Sequence, residues 1–331
     1  MSKILLGSAR YLELDGGLKK LEYLMLNLPF ACNYRCRKCC NSERKGIGYE
    51  ATDLHISEII SIINEAKKIG IRVLVIAGEG EPFLYRRIKT IIKKASELGI
   101  ISYIFTNGSI LNKKNLFFVK KHNSSLIINM DSLNKERYEM FTGVKGSFDK
   151  IMKNLKNARE IFKDTYSKKT DIRRIAINTV ISQHNMDELS KLLKFCGNDF
   201  VWVLNEPIDI GRASINPEFI YSNEMKKMFK QFSKYSGPLE SILNHRWCAY
   251  MRNGISVGRD GNVLACAYAL ETVGRFGNIK NGGLKRHLRK TMKYVDNFYE
   301  NSGHSRCLLR HPKYKYFIET LESNSRILLK N

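Results

Sequence analysis

Cys32-Asn33-Tyr34-Arg35-Cys36-Arg37-Lys38-Cys39 is the stretch on which the reading of this chain turns. It sets three thiols at C-x3-C-x2-C spacing, directly after an apolar, strand-like run at 23–30. Iron–sulfur clusters are held by cysteine thiolates, and three thiolates so spaced can take three corners of a cubane. The absent fourth ligand leaves one iron with an open position, which catalytic metals need and structural ones do not. Two other readings stand beside this one. A zinc site repeats C-x2-C with a second ligand pair, and no second pair follows closely here. Unligated thiols are the other. A disulfide framework suits short secreted chains, not 331 residues that open without a signal peptide. Cys40 follows Cys39 directly, and adjacent residues rarely reach one cluster together, so it is read as a bystander.

Outward from that loop the chain alternates. Strand-like runs lie at 23–30, 71–77, 101–106, 125–130, 172–181 and 200–204. Helix-period segments lie at 57–69, 86–98, 113–121, 148–162, 187–195 and 223–235. Gly70 and Gly99 close two of these as C-terminal caps. Strict alternation predicts an α/β fold with a parallel sheet covered by helices, and six repeats fit an open, partial (β/α)6 barrel of TIM type. After the second strand-like run comes Gly78-Glu79-Gly80-Glu81-Pro82. Glycines at a strand's end let a ligand approach the backbone, and a carboxylate there can accept from an ammonium group. An ordinary strand-to-helix turn also uses Gly and Pro. What lifts this one is its place one strand-helix-strand unit after the cysteine loop. The loop, this turn, Thr106-Asn107-Gly108 and Asp131 all follow strand C-termini, the end that carries the active site in βα barrels.

With these motifs in place the chain resembles the radical S-adenosylmethionine (radical SAM) superfamily. The cysteine loop matches that family's cluster loop, and Gly80-Glu81-Pro82 matches its Gly-Gly-Glu-Pro segment, with Glu79 where the first glycine usually stands. The likeness continues through Thr142-Gly143-Val144-Lys145-Gly146-Ser147-Phe148-Asp149. It implies that Cys32, Cys36 and Cys39 bind a [4Fe–4S] cluster whose open iron is chelated by the methionyl part of SAM. It also implies SAM contacts from Tyr34, Gly78, Glu79, Gly80, Glu81, Pro82 and Asn107, with Asn129 or Asp131 reaching the ribose. One position departs from the family's pattern: Lys38 stands where an aromatic or apolar residue usually lies against the adenine.

Ser236-Gly237-Pro238 breaks the alternation and marks a boundary. Beyond it, two strand-like pieces flank Arg259-Asp260-Gly261, a hairpin signal with Asp-Gly at the turn. A helix-like stretch follows at 284–299 and a last one at 314–329. The expected organisation is an N-terminal extension (1–21), the barrel (22–237), a small C-terminal hairpin-plus-helix domain (238–312) and a terminal helix (313–331). Cys248 and Cys266 bracket the hairpin, and Cys307 lies after the helix. Three buried cysteines acting as small hydrophobes are one reading. The other is a resemblance to the twitch domain, the short relative of the SPASM domain, which implies an auxiliary iron–sulfur cluster on Cys248, Cys266 and Cys307. His304 stands where a further cysteine is usual and is the candidate fourth ligand, since histidine can replace thiolate on iron. Cys196 is assigned to the core, and no other histidine is given a role.

Composition narrows the partners. The formal net charge is +24, which favours anionic partners, although the basic residues are scattered apart from the run at 285–293. No aromatic-interleaved RNA-binding motif accompanies them, so nucleic acid is not the favoured partner. No apolar stretch is long enough to span a membrane, and cysteines at metal-binding spacing fit a reducing cytoplasm and oxygen-poor conditions. The resemblance implies reductive cleavage of SAM to a 5′-deoxyadenosyl radical, fed by a donor such as flavodoxin or ferredoxin. The expected outcome is oxidation or epimerisation of a small, carbohydrate-like molecule. Modification of a peptide side chain is the runner-up, lowered by the roughly 22 residues before the first strand, too few for a leader-binding domain. Molybdenum-cofactor synthases share a twitch-like domain but end in Gly-Gly, unlike Leu328-Leu329-Lys330-Asn331, and their cysteine spacing differs. A non-enzymatic iron–sulfur protein that binds nucleic acid is the alternative of another class. It has no use for a SAM cradle.

Overall fold

The computed structural model describes residues 3–17, 19–28, 31–40, 53–166, 171–237, 248–269, 276–301, 307 and 309. The order of elements is β1 (Ile4–Leu5), α1 (Ala9–Leu14), β2 (Tyr23–Leu26), α2 (Ile56–Lys68), β3 (Val73–Ile76), α3 (Ile88–Glu97), β4 (Ile101–Thr106) and α4 (Lys113–Lys121). Then come β5 (Ser124–Asn129), α5 (Lys135–Thr142), α6 (Ser147–Phe162), β6 (Ile172–Arg173), β7 (Ile175–Val180), α7 (Leu189–Cys196), β8 (Val201–Asn205), α8 (Arg212–Ile215) and α9 (Asn223–Ser233). The described chain closes with α10 (Ala249–Arg252), β9 (Gly254–Val257), β10 (Val263–Leu264) and α11 (Gly283–Asn301).

Among the described residues one sheet runs β10-β9-β2-β3-β4-β5-β7-β8, and the six strands from β2 to β8 within it are parallel. This is the open partial barrel that the alternation predicts. β2 and β3 are buried along their whole length, as strands covered on both faces must be. α3 shows how the helices attach. Ile88, Ile91, Ile92 and Ala95 fall on one face at three- and four-residue steps, and all are buried. Burying each isoleucine contributes about 1.5–3 kcal/mol relative to exposure.

Three features differ from the expectation, each for a physical reason. The strand expected at 172–181 breaks at Arg174. Its guanidinium turns inward and donates to the carbonyls of Val119, Lys120 and Ser124, satisfying the C-terminal end of α4. The N-terminal extension carries a strand and a helix of its own: Ile4 and Leu5 pair in parallel with Ile172 and Arg173, and Leu5, Ala9 and Leu12 are buried. The hairpin is not set apart from the barrel either. β9 pairs in parallel with β2 (Tyr23 with Gly254 through Leu26 with Val257), so the sheet continues into the C-terminal region. β2 would otherwise offer an open edge. The helix expected at 314–329 lies outside the described residues, and no described helix is long and apolar enough to cross a membrane.

Candidate active site

The cysteine loop follows β2 and spans residues 31–40. A loop of this length has no ladder of its own, so its backbone polar groups must find partners elsewhere. The amides of Arg35 and Arg37 donate to the carbonyls of Thr142 and Phe141 at the end of α5, both at 2.9 Å. The carbonyl of Ala31 accepts from Glu81 N at 2.6 Å. Cys39 N reaches Cys36 O at 3.2 Å, closing a turn inside the motif. The Arg37 guanidinium pairs with Glu218 through two contacts. Lys38 Nζ lies 2.6 Å and 2.7 Å from the two carboxylate oxygens of Asp131, and both side chains are largely buried.

The Gly-Glu-Pro turn follows β3. Glu81 is buried and uses both oxygens: Oε1 accepts from Thr106 Oγ1 at 2.7 Å and from Phe83 N at 3.2 Å, and Oε2 accepts from Asn107 N at 2.7 Å. Burial raises its carboxyl from 4.5 to about 7 against the pull of those donors. Pro82 then opens a short 3-10 turn over Pro82–Leu84. Gly80 has φ +67°, and a Cβ there would lie 2.8 Å from Ala31 N, so only glycine lets the two turns meet backbone to backbone. Asn107 ties this turn to the cysteine loop: its Nδ2 donates to Asn33 at 3.0 Å and lies 3.9 Å from the Cys32 sulfur. Glu79 is buried and accepts from Asn27 Nδ2 at 3.4 Å.

The other expected residues fall at the same end of the sheet. Tyr34 is buried against Tyr138 of α5, and burial pushes its phenol up to about 12. Asn129, at the end of β5, accepts from Asn178 on β7 at 2.7 Å, and Asn178 accepts from Asn205 on β8 at 2.6 Å. The result is a row of amides across three strand ends. Asp131 takes Lys38 on both oxygens and Val180 N at 2.8 Å on one of them.

Burial raises the Cys32 thiol and pushes the Cys36 thiol up to about 12, with the Lys38 ammonium pulling the latter the other way. In the metal-free chain these thiols keep their protons, and metal binding must release them. Among the described residues no three Cys, His, Asp or Glu side chains converge tightly enough to hold a single ion. A cubane makes no such demand, because each thiolate takes a different iron. Three thiols on one loop, with a buried carboxylate and a backbone-to-backbone turn beside them, fit a cluster with SAM better than a closed zinc site.

The Radical SAM superfamily profile matches residues 26–196. The chain belongs to this superfamily. Its cofactors are accordingly a [4Fe–4S] cluster and SAM. Among curated relatives, the radical SAM chain is 25% identical over 243 residues to the GTP 3′,8-cyclase of Tolumonas auensis, covering 72% of this chain and 66% of that enzyme. It is 24% identical over 317 residues to the GTP 3′,8-cyclase of Petrotoga mobilis, covering 86% and 94%. The match spans just under two thirds of the Tolumonas enzyme and 57% of a Clostridium perfringens one. Among solved structures, Streptococcus suis SuiB bound to S-adenosylmethionine aligns with a TM-score of 0.58 at 15% identity over 80% of this chain and 64% of that one. The enzyme anSMEcpe with bound AdoMet and Cp18Cys peptide aligns at 0.55 and 15% identity, over 93% and 99%. At such identities these structures speak for the fold.

The C-terminal cysteines, Cys248, Cys266 and Cys307, lie on separate segments of the chain. Cys248 begins α10, and its amide donates to the buried Tyr299 hydroxyl of α11 at 3.1 Å. Burial drives that phenol well up from its ordinary value. His304 lies outside the described residues. Sequence reasoning missed Tyr299, Asn178, Asn205 and the segment 211–218. Gly211-Arg212 lies in the connection after the sixth barrel strand, and a glycine there was the available signal.

Proposed function

We propose that Cys32, Cys36 and Cys39 hold the [4Fe–4S] cluster, and that the turn at 78–82, Asn107 and Asn129 cradle SAM. Bound there, cluster and SAM supply reductive cleavage to a 5′-deoxyadenosyl radical, the agent of hydrogen abstraction. The chain's own residues orient the reactants and exclude water. Glu81 accepts from the methionyl ammonium, and the amide row at the ends of β5, β7 and β8 faces the substrate. The observation that carries this reading is the buried Glu81 carboxylate, tied through Asn107 to the Cys32 sulfur. A structural cluster would gain nothing from a carboxylate buried at this cost. Cys248, Cys266 and Cys307 are read as ligands of an auxiliary cluster, and a flavodoxin- or ferredoxin-type protein as electron donor in a reducing cytoplasm.

The substrate is read as a small polar molecule, oxidised or epimerised. A nucleotide is the second reading, favoured by the GTP 3′,8-cyclase relatives and by the net charge of +24. The test is anaerobic reconstitution with iron and sulfide, then reduction with SAM and assay for 5′-deoxyadenosine, with Cys36→Ala and Cys266→Ala alongside. About eight irons in the wild type and about four in each variant, with product lost only in Cys36→Ala, is the expected result. No product from the wild type would sink the enzymatic reading. Stimulation by GTP would turn the substrate assignment to the nucleotide.

A further inference from the structure

We infer that Arg212 is the positioning residue of the cluster loop: it grips both ends of the Cys36–Cys39 turn, fixing two of the three thiolates and biasing the cluster they hold toward its reduced state. This rests on the assignment of the cluster to Cys32, Cys36 and Cys39. The geometry is specific. Arg212 Nε donates to the carbonyl of Cys36 at 2.9 Å, and the backbone N–H of the same residue donates to the carbonyl of Cys39 at 2.8 Å. Each of those carbonyl carbons is bonded to the Cα that carries the thiol, so holding the carbonyl holds the root of the side chain. Gly211 makes the approach feasible. It has φ +62°, and a Cβ there would lie 2.6 Å from Cys39 O and 2.7 Å from the carbonyl of Cys40. The same segment supplies Asn216, whose Nδ2 donates to Arg37 O at 3.2 Å and to Arg212 O at 2.6 Å.

Arginine suits the task because its planar fork holds a fixed direction, whereas a lysine ammonium is a point charge on a flexible stem. Its charge acts as well. Reduction adds one negative charge to the cluster, and a cation beside the loop favours that state.

The test compares full-length wild type, Arg212→Gln, Arg212→Lys and, as a control for net charge, Lys290→Gln. In Arg212→Gln, iron retained after gel filtration should fall, and the ratio of reduced to oxidised cluster at a fixed poise should drop about tenfold, or ~59 mV for one electron. Arg212→Lys should restore most of that ratio but not the iron retention. In the iron-free chain, hydrogen exchange at the Cys39 and Arg212 amides should quicken in both Arg212 variants and not in Lys290→Gln. Wild-type iron, ratio and exchange in Arg212→Gln would overturn the inference. If the wild type itself takes up no iron on this loop, the cluster assignment fails instead, and the exchange rates still decide whether Arg212 holds the turn.

Discussion

The two sets of cysteines are held in opposite ways. Cys32, Cys36 and Cys39 share one short loop, and that loop is clamped from outside by α5, by the turn after β3 and by residues 211–218. Cys248, Cys266 and Cys307 come from separate places, and their positions follow from packed elements: α10, the β9–β10 hairpin and the flank of α11. A local triad gets its spacing from sequence and its shape from neighbours. A distributed triad gets both from the core. Substitutions near the first set should therefore act through backbone fit, and those near the second through packing and single hydrogen bonds.

The most severe way to test that contrast is Gly80→Ala. The added methyl meets the backbone of Ala31 and must also accept a left-handed φ, so neither turn can yield cheaply. A loss of about 4 kcal/mol in urea unfolding is expected from strain and overpacking together. A loss below about 1 kcal/mol would mean the loop is not clamped there.

A smaller effect comes from Glu81. Its carboxyl is raised from 4.5 to about 7, so between those values the folded chain keeps a proton that the unfolded chain has released. Stability of the iron-free chain should fall as pH rises through that window, with the loss complete above about pH 7. The scale is roughly 3 kcal/mol. Glu81→Gln should flatten the slope, and an unchanged slope would assign the titration to another group.

The smallest effect belongs to the second set. Tyr299→Phe removes the acceptor for Cys248 N–H and leaves the packing in place. It should cost about 1–2 kcal/mol, the penalty for one buried donor left without a partner. A cost as large as that of Gly80→Ala would erase the distinction between the two regions.

Much of this was legible in the chain itself. Apolar runs at the right spacing gave the six parallel strands, and the cysteine and Gly-Glu-Pro motifs fell at one end of the sheet. α5 was missed because Lys135–Thr142 buries only Tyr138, Phe141 and Thr142, too few for a clear apolar stripe. Its real signals were the caps, Asn134 before it and Gly143 after it. Arg174 was read as part of a strand because nothing local says that its guanidinium will serve a helix end some fifty residues earlier in the chain. Asn129 or Asp131 is the expected ribose contact, and in the fold Asp131 also carries Lys38 on its two oxygens. That pairing joins residues 93 positions apart and belongs to tertiary structure alone. The departure at Lys38 and the carboxylate at Asp131 were both visible, but their meeting was not.

The parallel pairing of β2 with β9 also sets a timetable. β2 is the first strand of the main sheet to leave the ribosome, and β9 is nearly the last. At about 5–20 residues per second, the interval is roughly 10–50 s, during which a short hydrophobic strand waits with one side unmatched. Nascent chains in that state are open to misassociation, and long-range partners are slow to find. The cysteine loop begins just beyond the waiting strand, so it leaves the ribosome well before the sheet beside it is complete.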